Sequence, residues 1–453
     1  MKHYDVIVVG SGSGAVILDE ALSGGLKVAL VDKGPVGGTC LNVGCIPSKM
    51  LVFPADRVAE IQDSGKLGVN AVVKQADFGF IMRRMRKTVQ EGSSGMSRWI
   101  KHAKNLDFYE AEAHFVGDYT LQAGSSRIKG DKIFIASGAR PFIPKIKGLE
   151  KAGYLTNETV LELKKLPKSI IIIGGGYIAA EYAHFFAAMG SQVTILQKNR
   201  RLVPDEEPEI SDLLKKEMQR RMSVYTGMEA VEVRAKKRGY AVIGKEVKAG
   251  REKSFSAEKV MVAAGRKSNA DLLMAEKTGV ETDSRGFIKT NRFLETTKKG
   301  IWAFGDAIGK KMFRHVANEE AVLAWQNSLG RKKTGMDYSA APHAIFSFPQ
   351  VASVGLTEKE AKKGHDVLVG TAKYSDVAKG AAMAEENSFA KAIVEKGTGK
   401  ILGFHIIGPH AAVLIQEVVA VMANNLDAGA VFNAMHIHPA LSEIIPAALG
   451  NAE

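Results

Sequence analysis

The chain has 453 residues, of which 45% are hydrophobic and 25% charged, as in an ordinary soluble globular protein. This length predicts about three domains, and no apolar run approaches the roughly 18 residues that a membrane span requires. Lys and Arg outnumber Asp and Glu by 62 to 49, which gives a net charge of +13. The basic clusters are scattered and lack interleaved aromatic residues. We therefore interpret them as solvated surfaces and not as a nucleic-acid site.

The N-terminal segment pairs an apolar strand with a glycine-rich turn. Residues 4–9 form a β-branched run typical of a buried parallel strand, and they lead into GSGSGA at residues 10–15. The next apolar run, residues 28–31, ends in Asp32, close to the separation of about twenty residues expected for a dinucleotide fold. Gly10 permits the tight turn, Gly12 admits a pyrophosphate, and Ala15 lets helix and strand pack closely. Asp32 would then accept hydrogen bonds from a ribose.

A second copy of this unit begins at mid-chain. The apolar run at residues 169–173 leads into GGGYIAAE, which places Gly174, Gly176 and Ala179 at the fingerprint positions. Residues 193–196 form the second strand of this copy. Two dinucleotide folds in one chain predict an α/β protein with two nucleotide cofactors, one to deliver hydride and one to pass electrons on.

The only two cysteines of the chain, Cys40 and Cys45, lie together in GGTCLNVGCIPSK. A loop this short gives a structural disulfide little effect on the stability of so long a chain. We therefore interpret the pair as a redox dithiol that opens and closes in turnover, with two buried inert thiols as the alternative. A dithiol that must cycle favours a reducing cytoplasm, and residues 1–3 leave no room for a signal peptide before the first strand.

The order of these motifs resembles a known family. The chain is similar to the flavoprotein disulfide reductases, the class I pyridine nucleotide-disulfide oxidoreductases that include dihydrolipoyl dehydrogenase, glutathione reductase and mycothione reductase. Besides the cysteine segment, the resemblance rests on IASGARP at 135–141, VAAGRKSN at 262–269, GIWAFGDA at 300–307 and HIHPALSE at 436–443. It implies a homodimer with FAD at the first nucleotide site, NADH or NADPH at the second, and a C-terminal α+β dimerisation domain.

The same resemblance implies residues for each cofactor. Those for FAD come from the first glycine turn, the cysteine segment, IASGARP and the GDA motif: Gly10, Gly12, Gly14, Ala15, Asp32, Lys33, Gly38, Thr39, Lys49, Ser137, Gly138, Gly305 and Asp306. Those for NAD(P) come from the second glycine turn, the end of the following strand and VAAGRKSN: Gly174, Gly176, Tyr177, Ile178, Ala179, Gln197, Lys198, Arg200, Gly265 and Arg266. No metal ligand is expected.

The catalytic sulfurs and the acid–base pair follow from the same match. Cys45 would be the sulfur nearer the flavin, and Cys40 the one that exchanges with substrate. His438 would take and give the proton, and Glu443, five residues on, would orient it. Taken without its motif, a histidine in an apolar segment is usually a core residue.

Lys49 and Glu181 are the remaining catalytic candidates. Lys49 follows Cys45 by one helical turn, so both would share a face beside the flavin ring. Glu181 matches the family acid that pairs with this lysine. The alternative is a generic surface ion pair of little energetic weight.

The second nucleotide site lacks the strand-end acid that binds an NAD ribose. Gln197 stands where dihydrolipoyl dehydrogenases usually carry Glu, and Lys198, Arg200 and Arg201 follow. Exchanging an anion for cations suits a 2′-phosphate, so we predict that NADPH is preferred over NADH.

The motifs leave the substrate open between two classes. CLNVGCIPSK is similar to dihydrolipoyl dehydrogenase, whereas GSGSGAVILDE, KMLVF, HVANEEA and IHPALSE are more similar to mycothione reductase. We predict a relay from NAD(P)H through FAD and the Cys40–Cys45 disulfide to a dithiol or disulfide substrate, as in dihydrolipoyl dehydrogenase. The alternative is an NADPH-dependent reductase of a low-molecular-weight disulfide, of the mycothione or glutathione type. A different interpretation, a basic flavoprotein that binds DNA or a scaffold, is supported by the net charge alone.

The predicted organisation has four segments. Residues 1–146 and 269–338 form the FAD-binding and central parts, residues 147–268 the NAD(P)-binding domain, and residues 339–453 the dimerisation domain. Residues 56–103 are predicted to be helical, since apolar residues recur there at mixed helical spacing. GFHIIGPHAA, from Gly403, resembles the central strand and turn of the dimerisation domain.

Overall fold

A computed structural model describes residues 1–330 and 332–453. The strands of these residues are, in chain order, β1 (Lys2–Val9), β2 (Val28–Asp32), β3 (Leu106–Glu110), β4 (Ala113–Gly117), β5 (Thr120–Ala123), β6 (Ser126–Ile135), β7 (Ala139–Pro141), β8 (Ser169–Ile173), β9 (Gln192–Gln197), β10 (Ser223–Thr226), β11 (Met228–Ala235), β12 (Tyr240–Glu246), β13 (Glu252–Ala257), β14 (Lys259–Val262), β15 (Arg266–Ser268), β16 (Ile301–Ala303), β17 (His343–Ile345), β18 (Val351–Gly355), β19 (Val367–Lys373), β20 (Phe389–Glu395) and β21 (Ile401–Ile407).

The α-helices are α1 (Ala15–Ser23), α2 (Gly38–Asn42), α3 (Cys45–Asp63), α4 (Phe78–His102), α5 (Leu149–Ala152), α6 (Tyr177–Ala188), α7 (Pro208–Gln219), α8 (Arg314–Ser328), α9 (Glu358–Ala361), α10 (Ala378–Ala382), α11 (Ala411–Ala423), α12 (Gly429–Phe432) and α13 (Ile444–Gly450). Short 3-10 helices cover Ser64–Leu67, Thr159–Glu162, Ala275–Thr278, Gly305–Ala307, Tyr374–Asp376 and Leu441–Glu443.

The chain divides into two compact units, the first made of Met1–Ser48, Arg83–Phe142 and Gly265–Met336. It contains a seven-stranded sheet in the order β3-β2-β1-β6-β5-β4, with β16 also paired to β6. The strands β3, β2, β1, β6 and β16 run parallel, whereas β5 and β4 pair antiparallel at the other edge. A separate antiparallel pair joins β7 to β15.

The register of the first sheet places the N-terminal glycine turn. Val9, the last residue of β1, pairs with Val31 on one side and with Ile135 on the other. The carboxyl ends of three parallel strands therefore meet at one edge, the position where ligands bind in open α/β sheets. Beneath this edge the strands are apolar and fully buried, and the Phe134 ring stacks on Trp302 at 5.3 Å.

The second unit is made of Lys49–Met82, Ile143–Ala264 and Asp337–Glu453. Its four-stranded sheet is parallel throughout, in the order β10-β9-β8-β14, and a three-stranded antiparallel sheet follows the order β11-β12-β13. A five-stranded antiparallel sheet has the order β17-β18-β21-β20-β19, with β21 in the middle. The α11 and α13 helices pack on this last sheet around a core of small and branched apolar side chains.

The helical prediction for residues 56–103 is only partly right. The helix α3 begins earlier, at Cys45, and ends at Asp63, and α4 begins at Phe78. Between them, the 3-10 helix Ser64–Leu67 ends at Gly68, whose φ of 77° lies in the left-handed region. Glycine adopts this conformation without steric cost, so it interrupts the helix that apolar spacing alone predicted.

Among the described residues, no helix combines the length and apolar character needed to cross a membrane.

Candidate active site and cofactor sites

The first glycine turn brings two backbone segments into close approach. Gly10 has a φ of 101°, and a Cβ at this residue would collide with the backbone oxygen of Ala136. Gly38 has a φ of 67°, and its Cβ would lie 2.6 Å from the Cα of Gly12. A Cβ at Gly14 would likewise meet the Gly10 oxygen. The turn therefore depends on glycine at these positions, and it opens directly into α1 at Ala15.

Asp32 is the last residue of β2, and its side chain binds the glycine turn. Its Oδ2 accepts hydrogen bonds from the amide and the hydroxyl of Ser11, both at 2.6 Å, and its Oδ1 accepts the Gly34 amide at 2.9 Å. The Ser11 hydroxyl accepts the Gly37 amide at 2.8 Å. These bonds fix the carboxylate, and a carboxylate has about four lone-pair positions, so acceptor capacity remains for a ribose.

Asp306 lies in the Gly305–Ala307 turn that follows β16. Its Oδ2 is 3.3 Å from the Nε of Arg266, which also donates through Nη2 to the Ala139 oxygen at 2.6 Å. Burial raises the pKa of Asp306, while Arg266 opposes that shift. The Gly305 amide donates to the buried carboxylate of Glu320 at 2.6 Å, which fixes the start of the turn.

The other predicted FAD residues of the first unit are Ser137, Gly138, Lys33 and Thr39. The Ser137 hydroxyl oxygen is buried without a hydrogen-bond partner among the described residues. Gly138 has a φ of 69°, and Thr39 lies within α2. Lys33 is exposed and pairs with Glu112 at 3.5 Å.

The second glycine turn repeats the first in the second unit. Gly174 has a φ of 116°, and a Cβ there would collide with the Ala263 oxygen. At Gly176 a Cβ would meet no atom within 4 Å, so the backbone faces open space at the position that admits a pyrophosphate. Tyr177 and Ile178 begin the twelve-residue helix α6, and the fully buried Ala179 packs inside. The amides at its N-terminus suit an anionic ligand.

The residues predicted to set the preference for NADPH over NADH lie at the end of β9 and directly after it. Gln197 is 5% exposed, and its Nε2 donates to the Arg201 oxygen at 3.3 Å. Lys198 and Arg200 are exposed, and neither makes an ion pair or side-chain hydrogen bond to another described residue. Arg201 instead pairs with Asp212 at 3.2 Å. Two cations are therefore available at this strand end.

The other two predicted NAD(P) residues, Gly265 and Arg266, belong to the first unit. Gly265 has a φ of 121°, and Arg266 contacts Asp306 and the Ala139 oxygen, which lie in the same unit.

The two cysteines belong to consecutive helices. Cys40 is half-buried within α2, and Cys45 is exposed at the first residue of α3. A Cβ at Gly44 would lie 2.8 Å from the Thr39 oxygen and 3.3 Å from the Cα of Cys40, so the backbone before Cys45 packs directly on the helix that carries Cys40. The nineteen-residue helix α3 directs its N-terminal dipole at Cys45, which favours a thiolate.

Lys49 and Glu181 form a bidentate ion pair within the second unit. The Nζ of Lys49 lies 2.8 Å from Oε1 and 2.7 Å from Oε2 of Glu181. Glu181 is buried, with 6% of its side chain exposed, whereas Lys49 retains 37%. The Phe346 amide donates to Oε1 of Glu181 at 3.1 Å, and the Lys49 ammonium lies 4.4 Å from the centroid of the Phe346 ring.

His438 and Glu443 are also paired. The Nδ1 of His438 is 2.8 Å from Oε1 of Glu443, and the Ala440 amide donates to Oε2 at 2.9 Å. The pKa of Glu443 is lowered by the Ala440 amide and by His438. An ionised Glu443 accepts the Nδ1 proton, and this leaves Nε2 of an imidazole that is 72% exposed to exchange protons.

Three carboxylates of the second unit, those of Glu207, Glu209 and Glu358, lie close enough to share one cation. The Lys391 ammonium lies 2.9, 3.3 and 2.6 Å from them. An internal cation already contacts all three carboxylates, so the cluster gives no support for a metal centre.

Two family models match this chain. The pyridine nucleotide-disulphide oxidoreductase model covers residues 4–321, and the dimerisation domain of the same family covers residues 341–449. The chain belongs to the pyridine nucleotide-disulphide oxidoreductase family. The predicted family membership and fold class are thereby confirmed, with parallel-strand sheets and a C-terminal dimerisation domain.

Similar proteins come from several branches of this family. Mycothione reductase of Mycobacterium tuberculosis is 33% identical, with 99% of both chains covered. Dihydrolipoyl dehydrogenase of Bacillus subtilis is 32% identical, over 98% of this chain and 96% of the relative. Among solved structures, a Cu(II) complex of the HOCl-induced flavoprotein disulfide reductase RclA from Escherichia coli has a TM-score of 0.87 at 26% identity, with 99% of both chains covered. The chain is therefore a flavoprotein disulfide oxidoreductase.

Members of this pyridine nucleotide-disulphide oxidoreductase family depend on FAD and a pyridine nucleotide. The first unit fits FAD, since its glycine turn would not tolerate side chains and the buried Ser137 hydroxyl is unsatisfied. The second unit fits a dinucleotide, since Gly176 faces open space at the start of α6.

Several supporting residues were not predicted from the sequence. Ser11 occupies a variable position of the glycine motif, yet it is fully buried and holds Asp32. Glu320 lies in HVANEEA, where its burial and its bond to Gly305 could not be inferred from one sequence. Phe346 contacts Glu181 across 165 residues of the chain and Lys49 across a still longer separation, and no local pattern indicates this.

Proposed function

We propose that this oxidoreductase relays electrons from NADPH through FAD to a Cys40–Cys45 disulfide, and from that dithiol to a small disulfide substrate. The observation that carries the proposal is the pair of glycine turns, one beside the cysteine segment and one at the start of α6. Bound FAD supplies the two-electron step between nicotinamide and sulfur. Gly12 and Gly38 would leave room for its pyrophosphate, and Asp32, Ser137 and Asp306 would hold its polar groups.

Each cysteine has a separate proposed role. Cys45, at the N-terminus of α3, would carry the thiolate that faces the flavin, because the helix dipole stabilises negative charge there. Cys40 would exchange with the substrate disulfide. One thiolate attacks a substrate sulfur, the substrate thiol leaves, and the second cysteine then displaces the remaining thiol to close the Cys40–Cys45 disulfide.

His438 would give the proton that the leaving thiol needs. Glu443 accepts the Nδ1 proton of His438, so the exposed Nε2 is the atom that would hold and transfer it. Lys49 would lie beside the flavin ring, and Glu181 would hold the lysine in place through both carboxylate oxygens.

The nicotinamide preference rests on the end of β9. Gln197 offers a buried amide in place of a carboxylate, and Lys198 and Arg200 are exposed and available for a 2′-phosphate. This preference favours reduction of a low-molecular-weight disulfide over oxidation of a dihydrolipoyl group. The mycothione reductase similarity over 99% of the chain supports the same substrate class.

A homodimer is expected from the dimerisation-domain match. Met435 and Ile437, which flank His436 near the proposed base, expose 102% and 78% of their surface, as expected of side chains that a second copy would cover. We propose domain boundaries near residues 146, 268 and 338, which the four-stranded sheet within 169–262 and the five-stranded sheet within 343–407 support. We also propose a cytoplasmic location and no role in nucleic-acid binding.

One assay series tests the proposal. Purified protein should contain about one FAD per chain, and its oxidation of NADPH and NADH is measured against lipoamide, glutathione disulfide, cystine, coenzyme A disulfide and bis-thiol sugar disulfides. A low-molecular-weight disulfide should give the highest kcat/KM with NADPH. Highest activity with lipoamide and NADH would favour the dihydrolipoyl dehydrogenase alternative, and no disulfide-dependent turnover would refute the relay.

A further inference from the structure

A second polar cluster lies along the two helices that carry Lys49 and Glu181. The side chain of His184, in α6, is completely buried, and its Nε2 lies 2.9 Å from Oδ1 of Asp56 in α3. On its other side, Nη1 of Arg221 lies 3.2 Å from Nδ1 of His184. None of these three residues has a role in the proposed relay, yet burying them has a cost that their mutual hydrogen bonds must offset.

The partners of His184 define its state. Arg221 can only donate, so Nδ1 of His184 accepts, and Nε2 carries the proton that it donates to Asp56. Burial lowers the pKa of His184, Asp56 raises it, Arg221 lowers it further and Glu181, on the same helix, raises it. The imidazole is therefore neutral at neutral pH and links a carboxylate to a guanidinium.

Asp56 and His184 of this cluster lie on the same two helices, α3 and α6, as the Lys49–Glu181 pair. Glu181 and His184 lie three residues apart on α6, and Lys49 and Asp56 lie two turns apart on α3. Pro54 lies between the latter two, and it lacks the amide that would continue the helical hydrogen bonds there. Asp56 gives the part of α3 after Pro54 a polar contact to α6, in addition to the contacts of its buried apolar residues.

The segment 346–348 connects the two groups directly. Its Phe346 amide binds Glu181, and the Phe346 ring receives the Lys49 ammonium. At its other end, the Phe348 oxygen accepts Nη2 of Arg221 at 3.0 Å, and the Phe348 ring stacks on His184 with centroids 5.8 Å apart. Glu181 and Arg221 therefore hold the two ends of one three-residue segment.

We propose that Asp56, His184 and Arg221 are positioning residues that hold α3, α6 and segment 346–348 in the arrangement required by the Lys49–Glu181 ion pair. The inference rests on the proposed role of that ion pair in flavin reduction. It predicts that the cluster affects the rate of flavin reduction, and not the affinity for the nicotinamide nucleotide.

The first test follows the half-reaction in which NADPH reduces the bound flavin, by stopped-flow absorbance. His184→Ala should slow reduction at saturating NADPH by about fivefold with an unchanged apparent Kd for NADPH. His184→Gln should restore most of the rate, because its amide can donate to Asp56 and accept from Arg221. Ser191→Ala is the matched control: Ser191 is buried just after α6, and its hydroxyl donates to the Pro167 oxygen at 2.6 Å, away from the cluster. A wild-type rate in His184→Ala, or an equal loss in Ser191→Ala, would overturn the proposal.

Amide hydrogen exchange provides a readout that does not depend on activity. In His184→Ala the Phe346 amide should exchange faster than in the wild type, because its acceptor Glu181 is no longer fixed. An unchanged Phe346 amide would overturn the proposal. Should His184→Ala fail to fold, Asp56→Ala removes the acceptor of the same imidazole and is read in the same way.

A double-mutant cycle separates this inference from the proposed function. If His184 acts through the ion pair, His184→Ala should have no further effect on the reduction rate in a Lys49→Met background. A fivefold loss that persists there would place its action elsewhere and refute the inference. A Lys49→Met single variant with a wild-type rate would instead refute the role of the ion pair, whereas exchange at Phe346 would still report the positioning contacts.

Discussion

Glu181 binds Lys49 with both carboxylate oxygens, at 2.8 and 2.7 Å, while its Oε1 also accepts the Phe346 amide at 3.1 Å. A carboxylate that is 6% exposed would be costly without such partners. The three contacts satisfy it and fix the ammonium in one place. This geometry distinguishes the pair from an exposed surface ion pair, which orients neither partner.

Glu181→Gln should separate charge from structure at this pair. The glutamine oxygen can still accept the Phe346 amide, so we expect the free energy of unfolding to change by only about 1 kcal/mol. Lys49 loses its counter-charge, so flavin reduction by NADPH should slow by about tenfold or more. Urea unfolding and stopped-flow reduction measure the two effects. Equal rates in Glu181→Gln and the wild type would show that the ion pair is only structural.

The cysteine assignments can be tested spectroscopically. Cys40→Ser retains the proposed flavin-facing thiolate, so we expect a long-wavelength absorption band without added reductant. Cys45→Ser removes that thiolate, so no such band should form even after two-electron reduction. Both variants should lose disulfide reduction by at least about a thousandfold while keeping bound FAD. Interchanged spectra would reverse the two roles, and retained activity in Cys45→Ser would refute the redox dithiol.

The cations after β9 predict the nicotinamide preference. Lys198→Ala and Arg200→Ala should each lower kcat/KM for NADPH by about tenfold, with little change for NADH, because each removes a charged contact to the 2′-phosphate. Gln197→Glu should shift the preference toward NADH. Steady-state kinetics with both nucleotides measure this, and Lys216→Ala, an exposed lysine on α7, is the control for general loss of positive charge. A wild type that strongly favours NADH would contradict the prediction.

Local chemistry made the glycine turns predictable. The strand before the second turn has the same bounds, Ser169–Ile173, in the sequence pattern and in the structure. A run of four isoleucines can only be buried, and Gly174 must follow it because a side chain would collide with Ala263. The Lys49–Glu181 and His438–Glu443 contacts were reached through motif resemblance, and the structure brings the members of each pair together.

Contacts between distant segments were not predictable in this way. Arg266, assigned to the NAD(P) site by its motif, pairs with Asp306 across 40 residues. Asp56 and His184 are separated by 128 residues, and each reads locally as an ordinary helix residue. Their pairing depends on how the chain crosses over itself, which neither periodicity nor propensity encodes.

His184 predicts a specific acid sensitivity. Its pKa is lowered in the folded state from 6.5, mainly by burial, so the unfolded chain binds a proton that the folded chain does not. Stability from this residue is present above about pH 6.5 and is lost as the pH falls, by up to about 1.4 kcal/mol per pH unit. His184→Gln removes this titration, so its free energy of unfolding relative to the wild type should rise between about pH 7 and about pH 5. His405, whose pKa is also lowered, is present in both proteins and cancels. Parallel pH curves would contradict the prediction.

The family resemblance implies that the active site is shared between two subunits, with His438 of one chain beside the cysteines of the other. Cys40 lies in the first family match and His438 in the match to the dimerisation domain. A mixture of Cys40→Ser and His438→Ala chains tests this. Each homodimer should be inactive, but a mixed dimer would keep one complete site, formed by the intact cysteines of one chain and the intact histidine of the other. Since half of randomly assembled dimers are mixed and each has one of two sites, activity should recover to about a quarter of the wild-type value. Chains that are mixed after assembly, without subunit exchange, are the control and should stay inactive. If the site lay within one subunit, every mixture would remain inactive, because neither chain carries both groups.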